Sequence, residues 1–168
     1  MVTPTFQSLL EKFFVVWLGR DRSVSANTVC AYRDAFKLLV TWFRDERGVA
    51  VADLALDHLT RESIQEFLAW LATSRGNCAK TVNCRLAALR SFCSFALYEV
   101  PDRSAQLSAV SSIPERRAQR REVDWLAPDE VGLMVSLLGG RPRDRLLVLL
   151  LYNTGCRVSE AVGLKGSD

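Results

Sequence analysis

Apolar residues recur along this chain at helical spacing, punctuated by glycine, proline and charge. Phe6, Leu9, Leu10, Phe13, Phe14 and Trp17 share one face of a first helix, which Gly19 and the charged stretch after it are expected to end. Ser25 or Asn27 is placed to cap a second helix. Its stripe is Val29, Tyr32, Phe36, Leu39, Val40 and Phe43, and it stops at Gly48. Thr60 caps a third, with Glu62 suiting the dipole of the first turn; Ile64, Phe67, Leu68 and Leu71 face inward, and Gly76 closes it. A fourth helix runs from about Ala79 to Tyr98, where Val82, Leu86, Leu89, Cys93 and Ala96 repeat at alternating steps of four and three.

Periodicity lapses from Pro101 to about Asp124. Prolines, serines and the cluster ERRAQRRE there read as a linker. Helical signals resume at Pro128, with Asp129 and Glu130 complementing the dipole and Val131, Met134, Val135 and Leu138 on the apolar side. From Arg145 to Asn153 the chain is apolar nearly all round, so a helix there has to be enclosed by other structure. The pattern therefore describes a mainly α chain. A compact four-helix domain spans 1–100, a basic linker 101–125, and the opening helices of a second domain 126–168.

A hydrophobic content of 49% and a charged content of 24% over 168 residues suit a soluble globular protein with a real core. The longest unbroken apolar run, Leu146 to Tyr152, falls far short of the roughly 18 residues of a membrane span. The N-terminus has no signal-peptide pattern either, so a cytoplasmic protein without membrane contact is expected. Five cysteines without a C-x-x-C pair read as free thiols packed as small hydrophobes. With one histidine, His58, there is no metal-ligand cluster, and no metal, cofactor or small-molecule substrate is expected. Net charge is only +3, but it is unevenly spread. Between Arg75 and Arg121 nine basic residues face three acidic ones, which makes that segment a candidate footprint for nucleic acid.

The stretch LLLYNTGCRVSEAVGL followed by Asp168 resembles the first catalytic-arginine motif of the tyrosine recombinases, the phage-integrase family. Thr154, Gly155, Arg157, Ser159, Glu160, Leu164 and Asp168 fall in register with it. Thr28 and Tyr32 in SANTVCAYRDAF, and AKTVNCRLAALRSF from Ala79, look like the second and fourth helices of that family's core-binding domain. IPERRAQRREVDWLAPDEV is similar to the linker and entry helix of recombinases carried on mobile elements, so the resemblance covers nearly the whole chain. Three positions depart from the pattern. Cys156 stands where leucine is usual, Ala127 replaces a helix-capping threonine, and Cys84 sits where an arginine is common.

The resemblance implies a four-helix core-binding (SAM-like) domain followed by the first helices of a truncated mixed α/β catalytic domain. The family's reaction is DNA strand exchange through a covalent DNA–tyrosine intermediate. Arg157 would be a catalytic residue: a guanidinium fork donates two parallel, charge-assisted hydrogen bonds to a phosphate whose oxygens gain charge in the transition state. Glu160 would support it. Spacing alone leaves Arg157 a helix-end cation paired with Glu160. The family's hairpin lysine, His-x-x-Arg box, later His or Trp and tyrosine nucleophile are not found here. His58 does open an H-x-x-R, but before the third helix, where it reads as coincidence. None of Tyr32, Tyr98 and Tyr152 reads as an exposed nucleophile, and Lys165 follows Arg157 too closely. The polypeptide is therefore expected to bind duplex DNA without cleaving it.

The candidate DNA contacts are Thr28, Lys80, Thr81, Asn83, Arg85, Arg90, Arg116, Arg117, Arg120 and Arg121. Double-stranded DNA and other recombinase protomers upon it are the expected partners. Other readings stay open. The charges could be an ordinary solvated face and basic hinge, the fold could be a helical interaction module, or the chain could be a decayed remnant of a mobile element.

Overall fold

A computed structural model describes residues 4–21, 24–118 and 125–165, and every regular element among them is helical. Helix α1 (Phe6–Lys12) starts at Thr5, whose hydroxyl accepts the Ser8 N–H at 3.2 Å. It passes into a π-helical segment, Phe13–Asp21, and so runs through Gly19 rather than ending there. A glycine inside a helix costs only about 1 kcal/mol. Burial of Phe13 and Leu18 outweighs that, and the wider π turn brings in Leu18, which lies off the expected stripe.

Helix α2 (Ala26–Arg47) takes Ser25 as its cap and ends at Gly48 with φ 66°, where the Val49 N–H bonds back to the Phe43 carbonyl at 3.0 Å. Helix α3 (Arg61–Thr73) is capped by Thr60, and α4 (Ala79–Glu99) follows. Helix α4 lies at the centre, packed on α1, α2 and α3. Phe92, on its inner face, meets Phe6, Phe13 and Phe36 edge-to-face at ring-centroid distances of 5.7, 5.5 and 5.3 Å.

The stretch from residue 101 onward does not begin as a linker. Pro101–Arg103 forms a 3-10 turn and Ser104–Ser111 a fifth helix, α5, packed on α4. Leu107, Val110 and Ile113 all enter the core. Gln106 donates to the carbonyls of Leu56 and Leu59 at 2.6 and 3.0 Å, and Arg103 pairs with Asp57. Two turns of helix between prolines and serines carry too few apolar residues to show a period, yet three buried side chains suffice to fasten them. The first compact unit accordingly extends to residue 119, and residues 120–168 form a second.

In the second unit, α6 (Pro128–Leu137), α7 (Pro142–Thr154) and α8 (Val158–Gly163) follow one another. Val131 and Val135 are buried, whereas Met134, expected on the apolar side, is exposed. Ala127 offers no side-chain cap, but the Glu130 carboxylate accepts its N–H at 2.8 Å and keeps the helix start satisfied. Helix α7 has no fully buried residue, so the enclosure its composition calls for is not supplied by the described residues.

Candidate nucleic-acid interface

The basic face expected on α4 is largely occupied by the protein's own chain. Asn83 donates through Nδ2 to the Arg116 carbonyl at 2.8 Å and accepts the Arg116 N–H through Oδ1 at 2.9 Å. Arg90 sends Nη2 to the Ile113 carbonyl at 2.5 Å and Nη1 to Glu115 at 3.1 Å. Arg116 reaches the Leu68 carbonyl at 3.1 Å, and Arg85 reaches the Ala31 carbonyl of α2 at 2.8 Å. These groups tie α2, α3, α4 and the segment after α5 together. They do fall off the apolar stripe of α4, but a returning segment, and not solvent alone, lies over that face.

The two threonines are engaged locally. The Thr28 N–H donates to Ser25 Oγ at 3.2 Å and its hydroxyl lies 2.9 Å from the same oxygen, so Thr28 completes the cap of α2. Thr81 Oγ1 lies 3.3 Å from the Sγ of Cys78, the N-cap of α4. That hydroxyl, with backbone N–H groups of the helix start, holds the Cys78 thiol below its ordinary pKa.

Lys80 and Arg117 differ from these: both are exposed, and neither side chain makes a hydrogen bond or ion pair to another described residue. Arg120 and Arg121 lie outside the described residues. Arg33 and Lys37 on α2 are exposed cations in the same position, and the sequence reading passed over them. Their spacing of four, beside the apolar stripe of α2, was the available signal. They border an apolar groove of about 720 Å³ between α1 and α2, floored by Leu10, Phe14 and Val40.

The closing motif builds a tight corner between α7 and α8. Thr154 Oγ1 donates to the Leu150 carbonyl at 2.7 Å, and Gly155, at φ 64°, ends α7 in the left-handed region that favours glycine. Arg157 then stands at the N-cap of α8. Glu160 accepts its backbone N–H at 2.8 Å and its Nη1 at 2.9 Å. Those bonds to Arg157 hold the Glu160 carboxyl below its ordinary range. The Arg157 side chain is 83% exposed, so the apolar surroundings in sequence do not become burial in space.

Other candidates resolve plainly. His58 Nδ1 accepts the Ala55 N–H at 3.0 Å and its ring packs on Phe43, so this side chain is engaged within the first unit. Tyr98 and Tyr152 are exposed, contrary to expectation, while Tyr32 stacks on Phe13. Of the cysteines only Cys93 is fully buried, its thiol pushed up to about 12 by desolvation; Cys30, Cys78 and Cys84 are exposed rather than packed as hydrophobes. Among the described residues no helix is long and apolar enough to cross a membrane, and no group of three His, Cys, Asp or Glu could hold a metal ion.

Comparison with known proteins adds to this picture. Residues 12–99 match the phage integrase N-terminal SAM-like domain. A protein of Sinorhizobium fredii named integrase/recombinase y4rC is 34% identical over 165 residues, covering 95% of this chain and 49% of its own length. Another from that bacterium, integrase/recombinase y4rD, is 34% identical over 164 residues, covering 95% of the chain and 58% of its own. Tyrosine recombinase XerD of Bifidobacterium longum is 30% identical over 174 residues, covering 99% and 53%. The chain thus spans about half the length of the curated relatives it matches. No solved structure matches it significantly.

Proposed function

The chain belongs to the phage-integrase family of tyrosine recombinases, and from that premise we propose that its first unit binds double-stranded DNA as part of site-specific recombination in the cytoplasm. The observation that carries this reading is the set of exposed cations without described partners, Arg33, Lys37, Lys80 and Arg117, on a unit whose match is to the integrase SAM-like domain. Cations left unpaired by their own protein attract phosphate and release its counterions. Arg85, Arg90 and Asn83 act beneath them as scaffold.

Arg157 is the residue of the second unit that would meet a phosphate. Glu160 takes one of its Nη groups and leaves the rest of the fork for non-bridging oxygens, while the exposed position admits a duplex. The reading assigns it transition-state stabilisation once a nucleophile and further donors surround the same phosphate.

A gel-shift titration against salt tests the proposal. Binding to duplex should weaken linearly in log–log form, Lys80→Ala should lower the slope by about 0.9, and Arg157→Ala should leave it unchanged. Binding with no salt dependence sinks the DNA reading. The exposed Leu133, Leu137 and Leu146 favour a second reading, in which the second unit pairs with another recombinase polypeptide. A sedimentation mass that rises with concentration supports that pairing, and a constant monomer mass counts against it.

A further inference from the structure

The segment after α5 runs along α4 in a defined register. Arg90 holds Ile113 and Glu115, and Asn83 holds Arg116. As the chain advances from 113 to 116 its partners on α4 step back from 90 to 83, so the two run antiparallel. Seven helical residues rise about 10.5 Å. Three extended residues span about 10 Å. The lengths agree, and Ile113 is buried at one end of the run.

Asn83 suits its place because one amide offers a donor and an acceptor side by side, so it pairs with both the N–H and the carbonyl of a single residue. Arg61 adds a bond to Ser112 Oγ at 3.1 Å, and Arg116 returns one to the Leu68 carbonyl. Every non-helical residue from 112 to 116 except Pro114 is thereby held by a side-chain bond from α3 or α4, or gives one. The register carries the chain toward the N-terminal end of α4, where Lys80 stands in the first turn. Arg117 is the next residue along.

We propose that Asn83 and Arg90 are positioning residues, a latch on α4 that delivers Arg117 to the same end of the helix as Lys80 and so composes one phosphate-binding patch from two distant parts of the sequence. The inference rests on the DNA-binding reading above. It changes the role of Asn83 from contacting DNA to placing a cation that does.

The test is the salt slope of duplex binding by the full chain. Asn83 is uncharged, yet Asn83→Ala should lower the slope by about one unit, as Arg117→Ala does. The double variant should drop it no further, whereas Lys80→Ala with Arg117→Ala should be additive. A slope unchanged by Asn83→Ala, or a further drop in the double variant, overturns the latch. Limited trypsin digestion reads the latch without DNA: cleavage after Arg116 and Arg117 should quicken roughly tenfold in Asn83→Ala. Unchanged cleavage overturns the proposal. Should the chain bind no DNA in a salt-dependent way, the functional reading fails while digestion still decides the latch. Glu115→Gln, an exposed and mild change, serves if Asn83→Ala folds poorly. It loosens one of the two Arg90 contacts and should speed cleavage two- to threefold, and no change there also counts against the latch.

Discussion

The two units use apolar helices in opposite ways. In the first, α4 is covered by α1, α2, α3 and α5, and Phe13, Phe67 and Phe92 are 0% exposed. In the second, α7 carries a longer unbroken apolar run, yet none of its residues is fully buried and Leu146 remains 67% exposed. Within its unit, helix α7 packs on α6 and α8. The difference teaches that apolar content does not make a core. A helix is buried when partners surround it, and dispersion contacts accumulate only on the sides where a neighbour stands.

Substitutions can break that comparison. The largest effect is expected at Phe92, where truncation to Ala removes a ring packed against four others and should cost about 3–5 kcal/mol in chemical denaturation of the first unit. Leu146→Ala should cost less than about 0.5 kcal/mol. Comparable losses at both would mean that α7 is enclosed in solution, and the contrast would fall. Next comes Leu107→Ala, expected to cost about 2–5 kcal/mol in the same measurement because α5 belongs to the core. A linker residue would cost nothing, so a null result would return residues 101–113 to that role.

The smallest effect concerns pH and the second unit alone. Glu160 holds its proton less tightly in the folded corner than its ordinary value of 4.5. Its cap on Arg157 is therefore fully present above that value and is lost as pH falls through the lowered one. Protection of the Arg157 amide, its exchange rate relative to the free-chain rate at the same pH, should fall on acidification below about 4.5, and Glu160→Gln should remove that pH dependence. Protection that persists at low pH in the native chain would show that the corner is held by something other than this carboxylate.

Much of the first unit was legible in its pattern. Ser25, Thr60 and Gly48 perform the capping that their types announce, and the stripes of the third and fourth helices are buried, as are Phe36, Leu39 and Phe43 of the second; Trp42, Phe92 and Phe95 reach the core from outside the expected stripes. Helix α5 was not legible, because two turns between Pro101 and Pro114 are too short to display a period. The candidate site divided likewise. Lys80 and Arg117 remain exposed, whereas Asn83, Arg85 and Arg90 are taken up inside the unit. An apolar stripe says which residues face the core, but it cannot say which chain segment comes back to cover the opposite side.

By itself the sequence determined the helical class, the caps, the family and the arginine motif, because these depend on residues within a few turns of one another. Only the tertiary structure decided that residues 112–116 return along α4, that Asn83 holds Arg116, and that Arg157 stands in the open. Those outcomes join positions 23 or more residues apart, or depend on which partners surround a helix, and local spacing carries no information about either.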